Sequence, residues 1–254
     1  MKSNTFAGEY EDGFAAYKRR DYKTALAMFA KAANKGDAWA QVQLGAMYSD
    51  GRGVAQDYAQ AVSWYRKAAD QGTAEAQYNL GVAYYEGKGV PQDYNQAASW
   101  YRKAADQGDA AAQANLGLAY YEGKGVPQDY IQAAAWFRKA AEQGHALAQF
   151  LLGVAYDGGQ GVTQDYNQAV SWYRKAADQG LAAAQHDLGA MYANGTGVPQ
   201  DYVEAHKWFN VAAAYSTDKE VRDKATKNRD LLAKKMTPAQ LAEAQKRASE
   251  WKKK

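Results

Sequence analysis

A 16-residue block, Asp93 to Gly108, returns almost unchanged every 36 residues. Asp57–Gly72, Asp129–Gly144 and Asp165–Gly180 are near copies, and a fifth, opening at Asp201, loses the pattern after Trp208 and Phe209. Self-similarity at such a period is the mark of stacked repeats. One unit of this size cannot bury its apolar face alone and does so against its neighbours, so the chain reads as an all-α solenoid of about five 36-residue helix-turn-helix repeats.

Residues 73–108 give the unit in detail. Ala76, Leu80, Ala83 and Tyr84 recur at helical spacing and make the apolar stripe of a first helix. Gly81 lies inside it at a cost of about 1 kcal/mol relative to Ala. The same glycine stands at Gly45, Gly117, Gly153 and Gly189, which points to close approach of the paired helix. Gly87 suits the left-handed position that ends a helix. Asp93 then caps the second helix, and Gln96 three residues on completes a pair of the capping-box kind. The second helix carries Tyr94, Ala97, Trp100, Tyr101 and Ala104 on one face, large rings alternating with Ala. Trp100 and its counterparts Trp64, Trp136 and Trp172 read as core.

Repeats of this register begin at Asp37, Thr73, Asp109, His145 and Leu181. The organisation is therefore an N-terminal capping unit over 1–36, repeats over 37–216 and C-terminal capping helices over 217–254. In the last segment Thr237 and Pro238 have the form of an N-cap followed by a first-turn proline, and Leu241, Ala244, Ala248 and Trp251 share a face.

Composition removes several function classes. There is no Cys, hence no thiolate site or disulfide. The three histidines, His145, His186 and His206, lack metal-ligand spacing, so no metal and no cofactor is expected. Gly-x-Gly follows a helix and not a strand, against a phosphate loop. No Gly-x-Ser-x-Gly elbow occurs. No apolar run approaches the roughly 18 residues that span a bilayer, and Met1 to Phe6 has no apolar signal region. Residues 216–254 hold 12 Lys and Arg against 6 Asp and Glu, a balance of +6, while the remaining 19 basic and 22 acidic residues leave −3. The basic end lacks the interleaved stacking aromatics of a nucleic-acid binder, so no nucleic acid is expected. Arg66-Lys67, Arg102-Lys103, Arg138-Lys139 and Arg174-Lys175 form a ladder on the second helices. Asp70, Asp106, Glu142 and Asp178 follow at i+4 and partly neutralise it.

Four motifs carry a family resemblance: Ala-x-Ala-Gln-x-x-Leu-Gly from Ala74, Tyr-x-x-Gly-x-Gly-Val from Tyr84, Asp93-Tyr94, and Ala-x-x-Trp-Tyr-x-x-Ala-Ala from Ala97. On these the chain resembles the Sel-one-like repeat (SLR) family of the tetratricopeptide superfamily, over about Asp37–Tyr215. The resemblance implies a right-handed α/α superhelix acting as scaffold or adaptor, of bacterial type, periplasmic or secreted with its signal removed; a cytoplasmic location stays open. It also leaves an immunity-type role against a delivered toxin as an alternative. An envelope enzyme acting on glycan is disfavoured, because no catalytic constellation is in view. The short turn Arg19-Arg20-Asp21 looks like an ordinary tetratricopeptide turn.

In such stacks the first helix of each pair lines the concave face. Aligning the repeats gives the candidate partner-binding residues. The capping unit contributes Tyr10, Phe14 and Tyr17, and the first repeat Trp39, Val42 and Asp50. Tyr78, Val82, Tyr85 and Glu86 come next, then Leu118, Tyr121 and Glu122, then Phe150 and Val154. Trp39 replaces Glu75, Ala111, Leu147 and Ala183 of the other repeats, and Phe150 replaces Val42, Tyr78, Ala114 and His186. Surface aromatics of this kind serve as interaction hot spots. The reading is a non-catalytic scaffold, monomeric or weakly dimeric, that holds a protein or peptide in its groove.

Overall fold

A computed structural model describes residues 7–253. Among them every regular element is a helix. They group into two compact units that divide between Gln128 and Asp129.

The first unit holds α1 (Ala7–Lys18), α2 (Tyr22–Asn34), α3 (Ala38–Asp50), α4 (Tyr58–Asp70), α5 (Ala74–Glu86), α6 (Tyr94–Asp106) and α7 (Ala110–Glu122). The second holds α8 (Tyr130–Glu142), α9 (Ala146–Gly158), α10 (Tyr166–Asp178), α11 (Ala182–Asn194), α12 (Tyr202–Tyr215), α13 (Lys219–Ala233) and α14 (Pro238–Glu250). Helices adjacent in sequence pack in hairpins, α3 on α4 and α5 on α6 in the first unit, α9 on α10 and α11 on α12 in the second. Each second helix also packs on the next first helix, as α4 does on α5 and α10 on α11. α13 packs on α12 and α11, and α14 on α12. Ala225, Leu232, Ala244 and Ala248 are buried there, and Trp251 packs on the core around Tyr173 and Trp208.

The hairpin geometry follows from one ring. A methyl group built on Gly81 would lie 2.5 Å from the ring of Tyr101, and Gly45 and Gly153 meet Tyr65 and Tyr173 at 2.6 Å. The glycine thus admits foremost an aromatic side chain, and at Gly45 and Gly189 the partner backbone also comes close, with the Ala61 and Ala205 carbonyl oxygens 3.2 Å from such a methyl group. Tyr101 is only 3% exposed. Trp100, expected in the core, is half-buried, its ring covered by the Lys103 ammonium 3.7 Å from the centroid. The same Lys-on-Trp contact recurs at Trp64, Trp136 and Trp172. Trp64 and Trp172 are half-buried like Trp100, while Trp136 is buried as expected. One helical position separates Trp100 from Tyr101, and that rotation sends the tyrosine under the glycine and the tryptophan to the edge.

The second-helix caps form in a modified way. The Asp93 carboxylate accepts from the backbone N–H groups of Asn95 and Gln96 at 2.9 and 3.0 Å. The reciprocal half of a capping box is not needed, because the Asp93 N–H already donates to the Tyr84 carbonyl at 2.9 Å. Asp57, Asp165 and Asp201 do likewise with Tyr48, Tyr156 and Tyr192. Among the described residues the complete box closes at Thr237 and Gln240 alone. The residue before each cap, Gln56, Gln92, Gln128, Gln164 or Gln200, donates its side-chain amide back to the carbonyl of the first helix at 2.7–2.9 Å.

A second glutamine series runs through the interior. Gln41, Gln77, Gln113, Gln149 and Gln185 are buried, and each donates to an alanine carbonyl of the preceding second helix at 3.0–3.4 Å. Gln71, Gln107 and Gln179 in turn donate to the side chains of Gln41, Gln77 and Gln149. Buried amides require such partners. At the last step Tyr215 replaces the donating glutamine, and the Gln185 Oε1 is left without a partner.

Candidate functional site

α3, α5, α7, α9 and α11 contain neither Lys nor Arg. In the first unit α3, α5 and α7 carry Asp50, Glu75, Glu86 and Glu122. Carboxylates on apolar, aromatic helices that hold no cation of their own present a negative potential to a partner, tempered where the loop cations Arg52 and Lys88 border the face.

Two clefts open on this face within the first unit. The one between α5 and α7 has a volume of about 240 Å³ and gathers six of the sequence-predicted residues: Tyr78, Val82, Tyr85, Glu86, Leu118 and Glu122. Tyr101, Asn115 and Ala119 complete its wall. The Tyr78 and Tyr101 rings lie 6.0 Å apart in a tilted pair, and Asn115 lines the cleft beside them. Burial, foremost, pushes both phenols above their ordinary pKa. Tyr85 packs edge-on against Tyr94 at 5.2 Å, and the Lys124 ammonium stands 5.8 Å from each centroid. A second cleft of about 450 Å³ between α3 and α5 includes Asp50 together with Val82 and Glu86. Val82 and Glu86 therefore form the ridge between the two.

The acidic rim is partly neutralised by its own loops. Glu86 pairs with Lys88 and Glu122 with Lys124, both at 2.8 Å, and Asp50 with Arg52 at 3.2 Å. These pairs are exposed, so each holds by about 1 kcal/mol or less and yields readily to a better partner. Position between the two loop glycines is the signal that placed a cation three times beside an acid, and the sequence reading did not use it. Partial desolvation, then the nearby Asp109 carboxylate, raises the Glu75 carboxyl above the usual range.

The other expected residues lie as follows. Tyr10 stacks on Phe14 with centroids 6.2 Å apart and also meets Phe29. Phe14 is exposed, under the Lys18 ammonium. Tyr17 packs edge-on to Tyr22, and its hydroxyl accepts from Arg52. Trp39 is 55% exposed on the first turn of α3. Tyr121 is half-buried on α7, outside the α5–α7 cleft. In the second unit Phe150 and Val154 are half-buried against the core, with Phe150 5.7 Å from the Tyr173 ring. Val42, expected at the surface, is fully buried. The arginine ladder reaches across repeats to tyrosine: Arg66 donates to the Tyr84 hydroxyl and Arg138 to Tyr156, both at 2.6 Å, and Arg102 and Arg174 bond Tyr120 and Tyr192. Those side chains tie neighbouring repeats together, a role that the i+4 acids had obscured. Among the described residues no group of three His, Asp or Glu side chains could hold a metal ion, and no helix is long and apolar enough to cross a membrane.

Recurrent helix pairs locked by a ring-on-glycine contact, with shallow clefts between successive first helices, define an α/α repeat protein. The Sel1 repeat model matches residues 3–37, 40–73, 74–109, 110–145, 146–181 and 182–214, and the chain belongs to the Sel1 repeat family. A Sel1 repeat protein from Oxalobacter formigenes is 33% identical, with 94% of this chain and 96% of that one aligned and a TM-score of 0.80. A protective antigen present in uropathogenic Escherichia coli strains, described as displaying an SLR fold, is 32% identical over 98% of this chain and 69% of its own, with a TM-score of 0.45. A Sel1 repeat protein from Klebsiella pneumoniae, 23% identical over 82% of this chain and 99% of its own, has a TM-score of 0.52 and shares the fold. No curated protein matches the chain. Sel1 repeats generally serve as non-catalytic scaffolds for protein–protein interaction.

Proposed function

We propose that this protein is a non-catalytic scaffold whose first-helix face in residues 1–128 receives an extended or helical protein segment with apolar anchors and basic residues. The observation that carries it is the charge and shape of that face. The helices α3, α5 and α7, none of which holds a Lys or Arg, carry four carboxylates, an exposed Trp39 and tyrosine-walled clefts. Opposite potentials steer and orient a partner more than they tighten it, while an aromatic anchor supplies affinity. Residues 37–216 form the repeat array in this reading, with 1–36 and 217–254 as its end units. The family resemblance supports a periplasmic or secreted location.

The test is affinity capture from native cells followed by binding of the purified partner to variants. Trp39→Ala should weaken binding by about 2 kcal/mol and leave the melting curve unmoved, because the side chain is largely exposed. Glu86→Lys/Glu122→Lys should slow association and flatten its salt dependence. The control Lys23→Glu, on the exposed side of α2, should bind as wild type. Loss of binding in the control with full binding by the Trp39 and Glu variants would exclude the first-helix face. A captured toxin would assign the scaffold to the immunity-type role.

A further inference from the structure

We infer that the cleft between α5 and α7 is a seat for one arginine side chain of the partner. The inference rests on the scaffold reading above and narrows it to a single side chain. Three tyrosine rings, Tyr78, Tyr85 and Tyr101, wall the cleft, and Glu86 and Glu122 line it with no cation among its lining residues. Their lysine partners are Lys88, which lines the neighbouring cleft, and Lys124, which stands at the rim of this one, paired with Glu122 and over the Tyr85 and Tyr94 rings. The volume of about 240 Å³ suits a side chain and not a folded element.

The chemistry selects among side chains. A purely apolar anchor would strand two carboxylates and the Tyr78, Tyr101 and Asn115 polar atoms against a dry surface, at a desolvation cost. An acidic side chain would meet two like charges. A cation gains from tyrosine faces and carboxylates together. Between the two cationic side chains, the guanidinium is planar, stacks on rings, is weakly hydrated and forks onto a carboxylate with two parallel hydrogen bonds. Its methylene stem would lie along Val82 and Leu118. The seated charge takes over Glu86 and Glu122 from exposed lysines whose hold is weak. The protein already uses this chemistry on itself, for Arg52 lies over the Tyr17 and Tyr22 rings, 5.6 and 6.0 Å from their centroids, and bonds the Tyr17 hydroxyl.

The experiment is an NMR titration of the full-length ¹⁵N-labelled chain with three probes, N-acetyl-arginine amide, N-acetyl-lysine amide and N-acetyl-citrulline amide. Citrulline keeps the shape of arginine and removes the charge. Arginine amide should give saturable shifts centred on the Asn115 side-chain amide and the backbone of Val82 and Leu118. Citrulline amide should bind at least about 10-fold more weakly, the loss expected for a desolvated cation over aromatic rings. Glu86→Gln/Glu122→Gln should weaken arginine amide to a similar degree, with the wild-type spectrum otherwise retained because both carboxylates are exposed. Equal binding of arginine and citrulline amides, equal binding of lysine and arginine amides, or unchanged binding by the double variant would overturn the assignment. Failure here leaves the Trp39 measurements untouched, so the scaffold reading and the arginine seat fall or stand separately.

Discussion

Gly81→Ala sets two physical effects of opposite sign against each other. Alanine is the better helix former by about 1 kcal/mol, and Gly81 has ordinary helical geometry, so local propensity alone predicts stabilisation. The added methyl group meets the Tyr101 ring at 2.5, 2.5 and 3.2 Å, the first two closer than carbon atoms can pack. The ring is 3% exposed and can withdraw only toward the α5–α7 cleft, where it meets Tyr78. Overpacking of this kind costs about 1–3 kcal/mol, and two clashes at 2.5 Å with one ring place it in the upper half. The net effect should be a loss of about 1–2 kcal/mol, read as a lower urea midpoint by circular dichroism. The decisive arm is Tyr101→Ala, which alone should cost roughly 3–5 kcal/mol. In that background the clash is gone, and Gly81→Ala should raise the midpoint. A midpoint that rises in the wild-type background, or falls in the Tyr101→Ala background, would show that the glycine is there for some reason other than the ring.

Trp136→Ala should destabilise by roughly 3–5 kcal/mol and the half-buried Trp100→Ala by only about 2, a difference denaturant midpoints will resolve; equal losses would mean the tryptophans share one environment. Deleting 236–254 removes Ala244, Ala248 and Trp251 from α12 and the core beside it, and the truncated protein should melt lower and self-associate in sedimentation. His206 is buried, its Nδ1 has no partner, and burial, then the Arg229 charge, lowers its pKa from 6.5. The unfolded chain therefore binds the proton first. The stability of the neutral form is complete above pH 6.5 and is lost as pH falls below it. His206→Val, which places there the residue found at Val62 and Val170, should flatten the melting-temperature profile between about pH 7.5 and 5.5; a variant that tracks the wild type across that range would clear the histidine.

The 36-residue period determined the helical repeat fold without help, because only stacked helix pairs bury the face that the period repeats. Helix ends were equally legible: Asp93 and Gly87 act through local backbone geometry, which the sequence states directly. What lies between helices was not. Trp100 and Tyr101 are neighbours on one apolar arc, and only the angle between paired helices decided that the tyrosine enters beneath Gly81 while the tryptophan stays at the edge under Lys103. The glutamine series at Gln41, Gln77, Gln113, Gln149 and Gln185 had no assigned role until packing buried it and supplied carbonyl partners from the preceding helix. Likewise Val42 and Phe150 align in register with Tyr78, yet one is fully buried, one leans on Tyr173, and Tyr78 walls a cleft. Periodicity fixes the direction a side chain leaves its helix; depth depends on the volumes across the contact, and those belong to residues on other helices.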